Sequence, residues 1–353
     1  MRWGGAGATR LGLHGEVTPG AYEAAFGPGG FIDPVTGRRL AATKRPGFEL
    51  VVSAHKSVAV LGVIDRADDM HSILDVETQS TRDWLDEWFQ QRGGRRGRAQ
   101  VRTQTGGLVY ARTRHGTSRA GDPMPHDHVL VANVAEMLDD RGGHKGLDST
   151  ALRDTGEAAT MVGRLHSAAR AVELGFKIEP DNGPSGKLRH WRIVGVPEDV
   201  CDLFSKRSDE ISAYPAATGH DSYRARAVAA RESSAAKRDT GVDELMPRWR
   251  AELDSVGWSV DRLLETLETA RRPDGALPFW LTDQQVEDLA AEVLHTDGDL
   301  MARHKVFTRT QLVAVLAPKL YGRDPRELDR IDQVLAGHSV VPLIGAGALH
   351  EQA

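Results

Sequence analysis

The sequence predicts an α+β protein in which a central antiparallel sheet has flanking helices and is followed by a small helical module. Two segments with strand-like patterns, Val101–Thr113 and His126–Val134, are separated by a polar loop of ten residues, so we expect them to pair as antiparallel neighbours. Long amphipathic patterns before and after them predict the flanking helices. After about residue 260 the chain changes to short acidic helices, and we therefore expect a domain at residues 1–260 and a module at residues 261–353.

The first third of the chain supplies one strand and one long helix to this prediction. Residues 1–47 are rich in Gly and Pro, and their apolar fragments are too short to assign. Phe48–Val63 has the β-branched character of a strand near its start. Residues 68–91 carry apolar side chains at steps of three and four, which predicts an amphipathic helix that ends at the glycine pair Gly93-Gly94.

The rest of the chain adds a second long helix, a hairpin and capped short helices. The long helix is predicted at residues 154–174, where an apolar stripe ends at Gly175. The other assignments are a hairpin of Phe176–Glu179 with His190–Val196, a helix opened by Pro197-Glu198, and capping boxes at Thr282–Gln285 and Thr308–Gln311. Each capping box opens an apolar-periodic segment, so both predict helix starts in the acidic module.

The composition is that of a globular cytoplasmic protein. Hydrophobic residues make up 40% and charged residues 27% of the 353, and the longest apolar runs fall far short of the roughly 20 residues of a membrane span. The segment after Met1 has no apolar signal-peptide core. A single cysteine, Cys201, excludes an internal disulfide framework and suits a reducing compartment.

The charge is unevenly distributed along the chain. The net charge of -5 argues mildly against nucleic-acid binding, but residues 92–119 contain eight arginines and no acidic residue. Residues 239–300 contain fifteen acidic residues against five arginines. Because salt screens fields beyond about 10 Å, a concentrated cationic stretch can bind phosphates whatever the rest of the chain carries. From charge alone, a phosphate-binding surface and a solvated loop are equally good interpretations.

Three histidines form the most informative pattern. His126 and His128 stand at positions i and i+2 of a predicted strand and therefore project from the same face. His115 ends the preceding strand and approaches that face if the two strands pair antiparallel. Three protein ligands leave positions open for substrate oxygen, which is the arrangement of a catalytic metal site. From spacing alone, an alternative in which these are ordinary surface histidines stays open.

Further segments accompany the histidines in a fixed order. They are Trp3-Gly-Gly-Ala-Gly, Leu11-Gly-Leu-His-Gly-Glu-Val17, Phe48-Glu-Leu-Val-Val-Ser-Ala-His-Lys-Ser57, His115-Gly-Thr-Ser-Arg-Ala-Gly-Asp-Pro-Met-Pro-His-Asp-His128, Leu147-Asp148, Gly195-Val-Pro197 and Phe204-Ser-Lys-Arg-Ser-Asp-Glu-Ile211. Together they resemble the conjugative relaxases of the TrwC and TraI type, a MobF-like group of histidine-hydrophobe-histidine endonucleases. The resemblance covers about residues 2–260 and implies a palm-like relaxase fold there.

The resemblance implies site- and strand-specific cleavage of single-stranded DNA at a plasmid transfer origin. In this family a tyrosine attacks one phosphodiester and keeps the 5′ phosphate, while a metal held by three histidines polarises the scissile phosphate. By the same resemblance His115, His126 and His128 are the ligands of a divalent ion, Mg, Mn or Zn, whose identity stays open. Glu49 stands where the family has an aspartate, so it is expected to act as a base or to orient a ligand. The alternative is an exposed strand glutamate.

Several polar residues are expected to contact DNA, with other relaxosome proteins as further candidate partners. The candidates are Lys56, Arg95, Arg96, Arg98, Thr117, Ser118 and Arg119. Each has the alternative of a solvated side chain. His55 replaces the proline of the family's Ser-Ala-Pro-Lys-Ser motif and is either a fourth metal neighbour or a surface residue.

The nucleophile is where the sequence departs from the family pattern. The catalytic tyrosine of the family precedes the Trp-x-Gly segment, whereas Met1 lies two residues before Trp3. We therefore expect an N-terminally truncated relaxase domain, through a misplaced start site or a shortened gene, with Tyr22 as a weak substitute. The alternatives are a non-catalytic remnant that binds single-stranded DNA and a metal-dependent hydrolase that uses water. Residues 261–353 resemble the linker that precedes the helicase of longer relaxases, and no ATP-binding loop is found.

Overall fold

The computed structural model describes most of the chain. The described residues are 1–96, 99–139, 142–182, 188, 190–206, 241–272, 275–278, 280–295, 300 and 307–338, without the side chains of 90–96, 99–102 and 335–338. Arg98, one of the predicted DNA contacts, lies outside the described residues. Arg95 and Arg96 are described by their backbone alone.

An antiparallel sheet of six described strands, some long and some short, forms the centre of the protein. Its strands are β1 (Arg2–Gly4), β4 (Gly47–Ser53), β5 (Gln90–Arg96), β6 (Ala99–Thr117), β7 (Pro123–Met137) and β8 (His144–Lys145). Their order is β1-β6-β7-β4, with β5 paired to β6 and β8 paired to β7. Two small antiparallel pairs stand apart from it: β2 (Phe31–Ile32) with β3 (Arg39–Ala41), and β9 (Ile178–Asp181) with β10 (His190–Ile193). The α+β prediction is confirmed.

The helices lie on the two sides and at the end of this sheet. In chain order they are α1 (Ala6–Arg10), α2 (Pro19–Phe26), α3 (Lys56–Leu61), α4 (Ala67–Trp88), α5 (Ser149–Glu173), α6 (Glu198–Leu203), α7 (Val242–Ser255), α8 (Val260–Ala270), α9 (Asp283–Leu294), α10 (Arg309–Lys319) and α11 (Arg326–His338). The helices predicted at 68–91 and 154–174 are thus α4 and α5, with shifted ends.

Alternation along β6 and β7 gives the sheet two different faces. Leu108, Tyr110 and Val131 pack with Leu85 of α4 and Leu152 of α5, so these two helices cover one face. The opposite face meets the N-terminal segment at one end of the strands. There Val109, Ala132 and Val134 pack with Ala25, Phe31 and Ala41. The other end of this second face carries the three histidines.

Close packing of α4 on α5 depends on a glycine. A Cβ added at Gly163 would lie 1.9 Å from Thr81 Oγ1 and 2.7 Å from the backbone oxygen of Glu77. Only a residue without a Cβ lets the two helices approach this closely. The helix pair therefore forms one rigid layer behind the sheet.

Two boundaries differ from the sequence prediction. The helix α4 ends at Trp88, and Gln90–Arg96 forms strand β5 instead of continuing the helix, because β6 supplies an antiparallel partner for its backbone. Gly93 and Gly94 fall at a register shift of that pair. The strand β6 also extends to Thr117, so His115 lies inside a strand instead of at its end.

The C-terminal helices pack on α5. Met161, Val162 and Leu165 of α5 share a core with Leu312 and Leu316 of α10. Both predicted capping boxes are present, at Thr282 with Gln285 and at Thr308 with Gln311. The predicted boundary at residue 260 stays a prediction, since α8 packs its apolar side chains into the core around α3. None of the described helices is long and apolar enough to cross a membrane.

Candidate metal centre

Three imidazoles lie together on the open face of the sheet, where β6 pairs with β7. In the antiparallel register His115 is the partner of His126, and Thr113 is the partner of His128. Because side chains at i and i+2 of a strand share a face, His126 and His128 project together, and the cross-strand neighbour His115 joins them. The structure therefore brings together the three histidines that the sequence singled out.

The distances suit a single ion. One nitrogen from each ring can be chosen so that all three lie within 4.8 Å of one another, and the Nε2 atoms of His126 and His128 are 3.1 Å apart. Nitrogens bound to one ion in a tetrahedral arrangement at about 2.1 Å are separated by about 3.4 Å. Small rotations of the rings would bring all three nitrogens to one ion.

Two of the rings are held in a ligand-ready state by their second nitrogen. Nδ1 of His126 lies 2.7 Å from the carbonyl oxygen of Met124, and Nδ1 of His128 lies 2.6 Å from Glu49 Oε1. A carbonyl or carboxylate oxygen only accepts, so each Nδ1 carries the proton and donates it. In the neutral rings both Nε2 atoms then keep the lone pair that a metal requires.

Glu49 reaches His128 diagonally across the neighbouring strand. In the register of β4 with β7, Glu49 is the partner of Leu130 and Val51 is the partner of His128, all on the same face. The Glu49 side chain is half exposed and still accepts the hydrogen bond from His128. An orienting role for Glu49 is therefore compatible with the geometry, although the side chain is also exposed, and the orienting role stays a prediction.

The residues present fit a divalent metal. Three neutral imidazoles are a donor set that Zn, Mn and related ions accept in proteins. His126 is 9% exposed, but the His128 side chain is 24% exposed and Val51 beside it is 44% exposed, so the group of imidazoles lies next to open surface. Coordination positions would remain for water or a phosphate oxygen. The donor set does not select one ion.

A buried ion network lies directly behind the histidines. Asp127, fully buried on the opposite face, accepts hydrogen bonds from Arg112, Arg114 and Thr78. Burial alone would raise the pKa of Asp127, but the hydrogen bonds from the two guanidinium groups and Thr78 outweigh burial and hold this pKa below its ordinary value. The carboxylate is therefore an anion inside the protein.

The loop between β6 and β7 is braced from three directions. Ser118 closes it by accepting a hydrogen bond from the backbone of Asp122 at 3.1 Å. The indole of Trp249, on α7, donates to the carbonyl of Gly121 at 2.8 Å, and Lys56 Nζ donates to the carbonyl of Pro123 at 2.9 Å. The loop is shorter than predicted and is held against α3 and α7.

The predicted DNA contacts occupy unequal positions around this loop. Arg119 is exposed, whereas Thr117 and Ser118 are half-buried. Lys56 is engaged with the loop carbonyl instead of pointing freely into solvent. Its burial lowers the pKa of Lys56 to about 8, against the opposing effect of Asp122. Of these side chains Arg119 is the exposed one, and the DNA contacts by Arg119, Thr117, Ser118 and Lys56 stay predictions.

His55 does not join the three histidines. It caps α3, with Nδ1 accepting from the backbone of Ser57 at 3.1 Å and Nε2 3.2 Å from Asp181 Oδ2. Burial lowers the pKa of His55 to about 4 although Asp181 opposes this shift. His55 is a neutral, structural residue.

Sequence reasoning overlooked a cationic patch at the hairpin of β2 and β3 and the loop that follows it. We define it as Arg38, Arg39, Lys44 and Arg45, all exposed on β3 and its flanking loops. Among the described residues none of the four forms an ion pair, and Arg45 also lies over the Phe48 ring at 5.4 Å. No acidic residue occurs from Pro34 to Phe48, which is the signal that could have found the patch.

The described tyrosines lie at different places relative to the histidines. Tyr110 is on the helix-covered face beneath Arg82, and the Tyr321 hydroxyl meets Met161. Tyr22 is 40% exposed on α2, with its ring 5.2 Å from that of Phe26. Because Phe26 packs on the second face of the sheet, Tyr22 is on the histidine side.

The N-terminal end of strand β1 points toward the histidines. The strand pairs with β6 so that Gly4, Trp3 and Arg2 lie opposite Tyr110, Ala111 and Arg112, in that order. Its N-terminal end is therefore the end that points along β6 toward His115. In this register the backbone at the N-terminal end of β1 is the part of the strand nearest the three histidines along β6.

Comparison with known families gives one match over most of the chain. The family model described as TrwC relaxase matches residues 1–256. The multifunctional conjugation protein TraI of Escherichia coli is 29% identical over 373 residues, covering 97% of this chain. TraI of Escherichia coli strain K12 is 30% identical over 369 residues, again covering 97% of this chain. The chain spans about a fifth of the length of these relatives, since it covers 20% of each.

Solved structures of similar fold are those of conjugative relaxase TrwC with OriT DNA. The metal-free complex superposes with a TM-score of 0.61 at 24% identity, covering 73% of this chain and 92% of that chain. A metal-bound complex has the same TM-score and identity and covers 89% of that chain. A complex with a 27-mer DNA comprising the recognition hairpin and the cleavage site has a TM-score of 0.59 at 23% identity and covers 92% of that chain. At this identity the likeness establishes the shared fold.

Proposed function

This chain belongs to the TrwC relaxase family, and we propose that it is a conjugative relaxase domain that binds single-stranded DNA at a plasmid transfer origin and presents one phosphodiester for cleavage. The observation that carries the proposal is the convergence of His115, His126 and His128 on an open face of the sheet. The TrwC structures in complex with OriT DNA, metal-free and metal-bound, support the choice of substrate and of a metal.

The three histidines would hold a divalent ion, with Mg, Mn and Zn as candidates. When bound, such an ion supplies Lewis-acid polarisation of a phosphate oxygen. Glu49 and the Met124 carbonyl hold the His128 and His126 rings with their Nε2 atoms toward that position. Fixed rings lower the reorganisation needed when the phosphate arrives, which is the contribution of this chain to the chemistry.

DNA would run across the second face of the sheet. Arg119 is exposed on the loop that joins the two histidine-bearing strands, and the patch of Arg38, Arg39, Lys44 and Arg45 is exposed on β3, whose Ala41 packs on the second face, and on its flanking loops. Unpaired exposed guanidinium and ammonium groups bind phosphates without reading sequence. Arg95, Arg96 and Arg98 in the β5–β6 region, Thr117, Ser118 and Lys56 remain additional proposed contacts.

The nucleophile is a tyrosine in the proposed reaction, and the geometry offers two sources. Tyr22 is on the histidine side of the sheet. The other source is a tyrosine on backbone that approaches the site along β1, since the register of β1 directs its N-terminal end toward His115. Its hydroxyl oxygen would attack the phosphorus, form the 5′ phosphotyrosine bond and release the 3′ hydroxyl.

One experiment separates relaxase, binder and hydrolase. The chain is incubated with a labelled transfer-origin oligonucleotide and Mn²⁺, and the products are resolved under denaturing and native conditions. A covalent protein–DNA adduct supports the relaxase, and its loss in Tyr22→Phe would assign the nucleophile to Tyr22. Release of two protein-free fragments would indicate a water nucleophile. Retarded but uncut DNA would indicate a binding module.

A control variant decides whether the histidines are required for DNA cleavage. The double variant His126→Ala/His128→Ala should lose cleavage and keep most of its DNA affinity, because the cationic side chains are untouched. Absence of both binding and cleavage in the unaltered chain, tested with several origin sequences, would contradict the proposed function.

A further inference from the structure

Asp127 is the central residue of the His-x-His pair in this chain, which resembles the histidine-hydrophobe-histidine endonuclease class. That class is named for a hydrophobic residue between the two histidines, whereas here the position holds a carboxylate with 0% exposure. A buried carboxylate is costly unless donors surround it. A buried carboxylate between two proposed metal ligands therefore needs a physical explanation.

The donors come from two different elements. Arg114 of β6 donates through Nε to Oδ1 at 2.9 Å and through Nη2 to Oδ2 at 2.7 Å, which is a two-point contact. Arg112 of β6 adds Nη2 to Oδ2 at 2.8 Å, and Thr78 of α4 adds its hydroxyl at 2.6 Å. Both guanidinium groups also reach Asp75 of α4, at 3.0 and 2.9 Å. Asp127 thereby ties β7 to β6 and to the helix behind them.

The side-chain contacts of Asp127 lie in the part of the β6–β7 pairing that carries the histidines. The regular ladder that carries the histidines runs from Tyr110 to His115 on β6, and register shifts interrupt the pairing on both sides of it. A slip of one residue would turn His126 and His128 to the helix-covered face. Asp127 pairs with Arg114 inside this ladder, so its side-chain contacts oppose such a slip from behind.

We propose that Asp127 is a positioning residue that fixes the spacing and orientation of His126 and His128 relative to His115, and so sets the metal affinity of the site. The inference rests on the proposed function, because it takes the three histidines to be metal ligands. Asp127 lies on the face of β7 opposite the two imidazoles, so it would touch neither the ion nor DNA. It acts by holding β7 in register with β6, which keeps both imidazoles on the open face.

The test compares metal binding by three proteins at equal folded fraction. Asp127→Asn keeps the shape of the side chain but turns an amide N–H toward the guanidinium groups. Glu327→Gln is the matched control, since Glu327 is 1% exposed and accepts a hydrogen bond from the backbone of Leu281 at 2.5 Å, in the core of the C-terminal helices. Co²⁺ is titrated into each full chain, and affinity, visible absorption spectrum and Tm are recorded.

The expected result separates positioning from general stability. Asp127→Asn should weaken Co²⁺ binding by at least about tenfold, the usual range for residues behind metal ligands, and should change the intensity of the Co²⁺ bands. Glu327→Gln should lower Tm while leaving the Co²⁺ affinity and spectrum unchanged. Equal affinity and spectra for wild type and Asp127→Asn would overturn the inference, as would an equal loss in both variants.

A milder variant covers the case in which Asp127→Asn fails to fold. Thr78→Val removes only the hydroxyl donor, and we expect a loss of Co²⁺ affinity of about threefold with a shifted spectrum. An unchanged affinity and spectrum in folded Thr78→Val would then overturn the inference. Failure of the unaltered chain to bind Co²⁺ would instead count against the proposed metal centre itself, so the two failures are distinguishable.

Discussion

Glu49 Oε1 accepts a hydrogen bond of 2.6 Å from Nδ1 of His128, across the boundary between β4 and β7. The contact joins an exposed carboxylate on an edge strand to a ring whose other nitrogen faces two further imidazoles. Strand β4 carries no proposed metal ligand, yet its Glu49 would hold the proton of the proposed ligand His128 on Nδ1. The proposed metal site is therefore the product of three strands.

Removing this hydrogen bond should weaken metal binding without unfolding the protein. Glu49→Ala leaves His128 free to rotate and to place its proton on either nitrogen, so we expect Mn²⁺ affinity to fall by about 10- to 100-fold. Glu49→Asp restores the shorter acid of the family and should lose less. Isothermal titration with Mn²⁺ measures both, and an unchanged affinity in Glu49→Ala would contradict the orienting role.

The cationic patch of Arg38, Arg39, Lys44 and Arg45 should govern the salt dependence of DNA binding. Each phosphate contact contributes about 0.7 to 0.9 to the slope of log affinity against log salt. Arg38→Ala/Arg39→Ala should therefore reduce that slope by about 1.5, measured by fluorescence anisotropy over a range of NaCl concentrations. Arg326→Ala, an exposed arginine on α11 in the C-terminal module, is the control and should leave the slope unchanged. Equal slopes for both variants would show that the patch does not bind DNA.

Two glycines of α5 provide a matched test of the helix layer. Gly163→Ala forces a Cβ against Thr81 and the backbone of Glu77, so we expect a loss of about 1–3 kcal/mol in the free energy of unfolding. Gly156→Ala meets nothing within 4 Å and should stabilise the helix by up to about 1 kcal/mol. Urea unfolding followed by circular dichroism measures both. Similar changes of one sign would contradict the packing described for α4 and α5.

Buried Glu77 should make stability depend on pH. Burial raises the pKa of Glu77 to about 7, although Arg164 and Ser167 oppose this shift. The folded protein therefore keeps a proton that the unfolded chain releases above its ordinary pKa of about 4.5, so stability falls as pH rises from about 4.5 to 7. The fall amounts to a few kcal/mol in order of magnitude.

Glu77→Gln removes the titrating group and should remove this dependence. The difference in unfolding free energy between Glu77→Gln and wild type should grow in favour of the variant between pH 5 and pH 8. Ser167 can still donate to the amide oxygen at that position. A constant difference over this pH range would show that Glu77 does not titrate there.

The sequence predicted the elements whose pattern is local. Both long helices follow from apolar spacing, and the capping boxes at Thr282 and Thr308 follow from side chains three residues apart. The pairing of His115 with His126 could be anticipated because the strands are consecutive. The end of α4 could not, since the competition between helix and β5 is decided by the distant partner β6.

The parts of the site that sequence could not predict depend on non-local contacts. Nothing in the order of residues indicates that Lys56 reaches the carbonyl of Pro123 or that Trp249 reaches Gly121. The role of Asp127 was equally hidden, because its partners Arg112 and Arg114 looked like members of a solvated cationic stretch. The structure shows instead that Arg112 and Arg114 pair with the buried Asp127, since a charge in the interior requires partners that a surface charge does not.

Anomalous diffraction from crystals soaked with Mn²⁺ tests the three-histidine metal centre most directly. We expect a single strong peak between His115, His126 and His128, about 2.1 Å from one nitrogen of each ring. The same peak should vanish in crystals of His126→Ala. A peak at another place, or three rings without metal at saturating Mn²⁺, would contradict the metal centre and the nuclease assignment that rests on it.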